Sequence, residues 1–209
     1  RSGQSKFSLS CLPKDDFPLI EIDKLKSEFV INSKTLLYIL EKTRFAISNE
    51  ETRYYLNGTY IHLVENNNQK NLRAVSTDGH RLAKIEIALP EETNNIPGVI
   101  IPKKTINEVR KLIDDFSGNI RISLDETKII FYINNIILSS KLIDGSFPDY
   151  EKVIPTNNDK MLLADTKLMY EAVDRVSTVS SEKSKSVKLL IFNNIVSLSS
   201  NSAETGSGA

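Results

Sequence analysis

Tryptophan is absent from this 209-residue chain, and cysteine occurs once, as Cys11. One thiol cannot build an internal disulfide framework, so a hydrophobic core must hold the fold, as expected for a protein of the reducing cytoplasm. No cation cluster flanks Cys11 in sequence, so it reads as a small buried side chain and not as a nucleophile. The two histidines, His62 and His80, give no zinc spacing with that cysteine, and no metal is expected. No glycine-rich loop that could cradle phosphates is present, so no nucleotide cofactor is implied. No apolar run reaches membrane-spanning length, so no membrane partner is expected. Charge of one sign is lacking too: 27 Lys and Arg balance 27 Asp and Glu. That balance excludes a globally basic footprint for nucleic acid and leaves only local clustering.

What is there is a pattern met three times: a short strand, an amphipathic helix, then further strands. The first copy predicts a strand at 28–32, a helix over 34–47, and strands around 54–64, 72–76 and 82–88. The second predicts 98–102, a helix to about 113, then 119–124, 128–133 and 136–141. The third predicts 160–164, a helix over 166–179, then 187–192 and 195–199. The helices rest on spacing: Leu36, Leu40 and Ile47 share a face, as do Ile106, Val109 and Leu112 or Ile113, and Met169, Ala172 or Val173, and Val176. The strands rest on β-branched and aromatic runs bounded by Asn, Asp and Gly. Residues 125–127 and Asn134-Asn135 read as hairpin turns, and 66–71 as a polar loop tip. Two copies per globular unit is the economical arrangement, an α+β fold with sheets outside and two helices side by side.

The helices gather cations. Lys34, Lys42 and Arg44 outnumber Glu41 on the first, and Lys103, Lys104, Arg110 and Lys111 outnumber Glu108 on the second. The third segment carries Lys167, Arg175, Lys183 and Lys185 against Glu171, Asp174 and Glu182. A neutral protein with its positive charge collected on adjacent helices can hold a polyanion, although solvated helix faces also look like this.

Four segments then stand in one order: 53–58 (Arg-Tyr-Tyr-Leu-Asn-Gly), 76–83 (Ser-Thr-Asp-Gly-His-Arg-Leu-Ala), 98–104 (Gly-Val-Ile-Ile-Pro-Lys-Lys) and 142–150 (Leu-Ile-Asp-Gly-Ser-Phe-Pro-Asp-Tyr). Together they resemble one family, the bacterial β sliding clamps, processivity subunits of DNA polymerase III. The resemblance runs from Arg1 to about Asn201 and implies the DNA clamp fold. Members of that family are far longer, so this chain is expected to be an internal piece. The implied division is 1–20, the tail of a first clamp domain; 21–149, a complete middle domain; 150–159, a linker; and 160–209, the first half of a third domain.

The same resemblance implies two sites and no catalysis. One is a non-specific duplex-DNA face using Lys34, Lys42, Arg44, Arg53, Tyr54, Lys103, Lys104, Lys111, Lys183 and Lys185. Tyr54 and Tyr55, read as strand residues, would point to opposite faces, one into the core and one toward DNA. Where relatives often carry Gln, this chain has Glu50, whose carboxylate would repel phosphate, so a DNA role is not carried over to it. The other site is a pocket for short linear motifs of polymerase subunits and the clamp loader, at the boundary of the middle and third domains. It is built from Leu56, Thr77, Gly79, His80, Arg81, Leu82, Pro148, Lys152 and Val153. Leu56, Leu82, Pro148 and Val153 would be apolar walls, Gly79 would admit a close backbone approach, and His80 and Arg81 would supply donors. Lys152 replaces an Arg common in relatives and loses its fork geometry. Residues from the family's extreme C-terminus complete that pocket, and a homodimeric ring forms at full length.

Two rival readings use the same residues. Asp78 and His80, with Ser76 close by, suggest a hydrolase, although no Gly-x-Ser-x-Gly turn is present and an Asp two residues before a His commonly caps a turn. A peptide-binding module unrelated to replication would show the pocket residues without cationic helices.

Overall fold

A computed structural model describes residues 3–16, 25–66, 69–90, 93, 95–180, 186–202 and 206–208. The chain forms two compact units, Arg1–Tyr150 and Glu151–Ala209.

The first unit contains two copies of one motif that exchange a strand. In the first copy β1 (Ser27–Asn32) leads into α1 (Ser33–Thr43), followed by the meander β2 (Gly58–Asn66), β3 (Gln69–Thr77) and β4 (Leu82–Ala88). In the second, β5 (Val99–Pro102) leads into α2 (Lys103–Ile113), then β6 (Asn119–Leu124), β7 (Lys128–Ile133) and β8 (Ile136–Lys141). Each leading strand joins the other copy's meander. β1 pairs antiparallel with β6 and β5 with β2, giving sheets of order β1-β6-β7-β8 and β4-β3-β2-β5. Neither four-stranded sheet exists without both copies, so the two form one core.

Local chemistry explains the elements. β1 buries Phe29 and Ile31 opposite Ile122 and Ile120, and exposes Glu28, Val30 and Asn32, the period-two pattern of a half-buried strand. Asn32 ends it by capping α1, its side-chain oxygen accepting the Lys34 N–H at 3.0 Å. α2 has no side-chain cap; its first N–H, at Lys103, donates to the Asn57 carbonyl at 3.0 Å. Leu36, Ile39 and Leu40 of α1 and Ile106, Val109 and Ile113 of α2 are buried against the inward residues of both sheets. Each such side chain contributes about 1.5–3 kcal/mol relative to exposure. The helices lie side by side, joined by an ion pair between Glu41 and Arg110.

The second unit holds one copy. α3 (Thr166–Ser177) is capped by Asp165, whose carboxylate accepts the Leu168 N–H at 2.9 Å. β9 (Lys188–Phe192), β10 (Ile195–Ser202) and β11 (Gly206–Gly208) form a sheet of order β11-β10-β9. Its apolar residues find little cover. Only Val176 and Leu198 are buried among its described hydrophobics, and Leu190, Ile191 and Phe192 are each more than half exposed.

Five sequence expectations change. The strand expected at 160–164 does not form, and Met161 and Leu163 are exposed. In the first unit a leading strand pairs with the other copy's meander, and among the described residues of the second unit no second copy is present to pair with. The strand expected from 54 begins at Gly58; Tyr54 and Tyr55 lie in a 3-10 segment, Glu51–Leu56, kinked at Arg53 (φ −113°, ψ 51°). The helix expected over 34–47 gives way at Arg44 to a 3-10 turn, Arg44–Ala46. The loop expected at 66–71 is tighter, because Asn66 pairs with Gln69; Asn67 and Asn68 lie outside the described residues. Cys11 is exposed, not buried, since its neighbours Leu9 and Leu12 do not pack on the core either.

Candidate functional site

The turn from β3 to β4 is built by its own side chains. The Thr77 hydroxyl donates to the Arg81 carbonyl at 2.7 Å and accepts the Gly79 N–H at 3.1 Å. Asp78 Oδ1 accepts the N–H groups of His80 and Arg81, each at 3.0 Å, and Oδ2 accepts from Arg81 Nε at 3.0 Å. Desolvation opposes ionisation of Asp78, but the hydrogen bonds from the Arg81 and His80 backbone and from the Arg81 side chain outweigh it and hold the carboxyl below its ordinary value. Gly79 adopts φ +88°, a conformation that suits a residue without Cβ.

The 3-10 segment and the chain after β8 pack on each other. Tyr54 and Tyr55 meet edge to face at 5.8 Å, and Gly145 packs on them, so that a Cβ there would lie 3.3 Å from Tyr55 Cβ. The following residues are anchored to β2 and β3. Tyr60 stacks between His62 (4.6 Å) and Phe147 (4.9 Å). The buried Tyr150 hydroxyl meets Arg73 Nη1 at 2.7 Å and His62 Nε2 at 2.9 Å. Arg73 in turn pairs with Glu86. These contacts fix where Pro148 leaves the sheet, exposed to solvent.

Several expected roles shift. Leu56 is 4% exposed, so it is a buried side chain and not an open wall; Leu82 is half-buried. Thr77 is buried and shapes the turn. Arg81 is not a free donor: Asp78 holds its Nε, and its guanidinium lies 5.9 Å from the centre of the Phe45 ring. Phe45, more than half exposed, joins this surface although its sequence position gave no signal. Arg53 does not stand with the helix cations. It forms a two-bond pair with Glu50 (2.8 and 2.5 Å), and its Nη1 lies 2.6 Å from where a Gly79 Cβ would be. Lys152 and Val153 belong to the second unit, where both are exposed. The hydrolase array does not assemble. Ser76 is fully buried with its hydroxyl 2.9 Å from Thr59, and the Asp78 oxygens serve the turn.

The cationic face lies between α1 and α2. Arg44, Lys103, Lys104, Arg110 and Lys111 line one open groove together with Asn107 and Glu108. Not all of this charge is available. Glu41 accepts from both Arg44 and Arg110, Glu108 pairs with Lys111, and Lys103 donates to Asn49 at 2.6 Å. The Glu41 carboxyl is lowered, first by the hydrogen bond from Arg110 and then by Arg44, against desolvation. Lys34 and Lys42 are exposed on α1, with Lys42 above the Tyr38 ring. Tyr54 is exposed at the 3-10 segment. Lys183 and Lys185 lie outside the described residues.

Exchanged strand–helix–meander copies, with sheets outside and cationic helices paired inside, define the DNA clamp class of α+β proteins. Residues 30–149 match the central domain of the DNA polymerase III beta subunit, and residues 151–208 match its C-terminal domain. The chain belongs to the DNA polymerase III beta subunit family. It is 46% identical over 206 residues to the beta sliding clamp of Caulobacter vibrioides and 36% identical over 204 residues to that of Escherichia coli. These alignments cover 99% and 98% of this chain but 55% and 54% of the relatives, so the chain spans about half their length. Among solved structures, a sliding clamp from Bartonella birtlesii bound to griselimycin superposes with TM-score 0.90 at 43% identity. It is covered over 55% of its length and this chain over 99%.

Proposed function

We propose that this chain is the middle part of a sliding clamp that encircles duplex DNA and tethers a replicative polymerase. The polymerase and the clamp loader would dock through short linear motifs. The protein would be non-catalytic, cytoplasmic and, at full length, a homodimeric ring. On this reading 1–20 ends a first domain, 21–149 is the middle domain, 150–159 is a linker and 160–209 begins a third domain.

One observation supports this most: a chain of zero formal charge gathers five cations in a single groove between two helices. Lys and Arg on helices contact phosphates without reading bases, which is what a sliding contact requires. A docking module unrelated to replication would have no use for that groove. On the first unit, the surface for docking is Leu82, Gly79, His80 and Pro148, and Leu56 is buried.

The test is titration with a fluorescent peptide carrying leucine and phenylalanine anchors. The Leu82→Asp variant should lose binding, because a carboxylate set in that wall is costly to desolvate. Binding equal to the parent would reject the pocket.

A further inference from the structure

We infer that Glu50 is a built-in counter-ion that competes with an acidic residue of a docking peptide for the Arg53 guanidinium, and so sets which peptides the site favours. This rests on the peptide-docking reading above and adds a specificity determinant to it.

The geometry carries it. Both carboxylate oxygens of Glu50 bond to Arg53, at 2.8 Å from Nε and 2.5 Å from Nη2. The remaining terminal nitrogen, Nη1, reaches over Gly79, in the turn that also bears His80 and Leu82. The absence of a side chain at Gly79 leaves room for it there. The cation of this pair is therefore at the pocket and not on the helix groove.

The loop holds Glu50 in place. Its N–H donates to Ser48 Oγ at 3.1 Å, its carbonyl accepts from Asn57 Nδ2 at 3.0 Å, and Ser48 N–H donates to the Leu56 carbonyl at 3.1 Å. The backbone is fixed while the carboxylate can move, since the Glu50 and Arg53 side chains are 51% and 35% exposed. The neighbouring cation differs. Arg81 is paired to Asp78, but that carboxylate also caps two backbone N–H groups and cannot leave without undoing the turn. Of the two arginines on this rim, Arg53 is the one whose partner a ligand can replace. An incoming carboxylate over Gly79 would meet Nη1 and, once Glu50 gives up Nη2, fork across both terminal nitrogens, which a neutral side chain would not do.

The experiment uses the whole chain and two fluorescent peptides with leucine and phenylalanine anchors, identical except for one flanking Asp or Asn. Glu50→Gln should tighten the Asp peptide roughly two- to five-fold, the range set by an exposed ion pair, and leave the Asn peptide unchanged. Glu50→Gln combined with Arg53→Gln should lose the gain. An equal gain for both peptides, a gain that survives without Arg53, or no gain would overturn the inference. So would a gain in duplex-DNA affinity with none for the Asp peptide. Leu82→Asp separates the two claims. If it leaves both peptides bound while the selective gain of Glu50→Gln holds, the docking surface is misplaced and the Glu50–Arg53 competition stands.

Discussion

Glu41 on α1 accepts hydrogen bonds from Arg110 on α2 and from Arg44, its neighbour one turn on, so one carboxylate ties together two arginines that line the cationic groove. The same contact that joins the helices withdraws positive charge from the surface proposed to hold DNA.

Replacing Glu41 should therefore act in opposite directions on two measurements. All three side chains are about a third exposed, so water can solvate the freed guanidiniums. Glu41→Gln should lower unfolding free energy by less than about 1 kcal/mol, as for other exposed pairs. Duplex-DNA affinity should rise at low salt, because two cations are released and one anion is removed. Urea titration and fluorescence anisotropy check the two halves, and a fall in both would separate Glu41 from the groove.

Acid should destabilise the protein through Asp78, Asp125 and Glu41. At Asp125 desolvation raises the carboxyl, but the Thr127 N–H (2.7 Å), the Thr127 hydroxyl (2.8 Å) and the Lys128 N–H (2.8 Å) outweigh it and lower it. Each of the three groups has a folded value below its unfolded one. Their stabilisation is therefore present above the ordinary carboxylate range, near about 4, and is lost as pH falls through the depressed folded values. Melting temperature should drop between about pH 5 and pH 2, and Asp125→Asn should flatten the slope. An unchanged slope in that variant would remove Asp125 from this account.

Much of the fold was legible in the residues alone. Strands β6, β7 and β8 begin and end where alternation and turn residues place them, because short hairpins with Asp125 and Asn134 leave little freedom in register. Local pattern failed where partners decide. The 160–164 stretch has strand composition but no ladder to join. Tyr54 and Tyr55 have strand propensity, yet the chain bends at Arg53 before β2 can begin. At the sites, residue identities came through the family resemblance and charge pairing did not. That Arg53 belongs with Glu50, Arg81 with Asp78 and Arg110 with Glu41 depends on side-chain direction in three dimensions.

Two glycines separate backbone crowding from backbone conformation. A Cβ on Gly58 would stand 2.3 Å from the Ile101 carbonyl oxygen and 2.9 Å from its carbon, both in the backbone of β5, which cannot swing away. Gly58→Ala should strain the exchange of β5 into the first sheet by about 1–3 kcal/mol or more. A Cβ on Gly79 would meet only the movable end of Arg53, leaving the cost of φ +88°, about 1–2 kcal/mol. Urea midpoints should rank Gly58→Ala as the less stable, while Gly79→Ala should be the one that alters peptide binding. The reverse ranking would mean that the β2–β5 contact yields more easily than its backbone geometry implies.

DNA binding by this chain should be weak, independent of sequence and steeply salt-dependent. One groove can neutralise few phosphates, and log affinity should fall with log salt at about −0.9 for each phosphate neutralised. Lys104 and Lys111 are the exposed lysines at its two ends along α2. Replacing both with Glu should weaken binding equally for unrelated duplexes and lower the slope by about 2, one for each lysine that no longer meets a phosphate. Neither residue is buried, so losing the Lys111–Glu108 pair should lower stability by no more than about 0.5 kcal/mol, and a larger loss of DNA affinity can be assigned to charge. A change in affinity that differs between duplex sequences would mean that this face reads bases, and a clamp that slides could not use it.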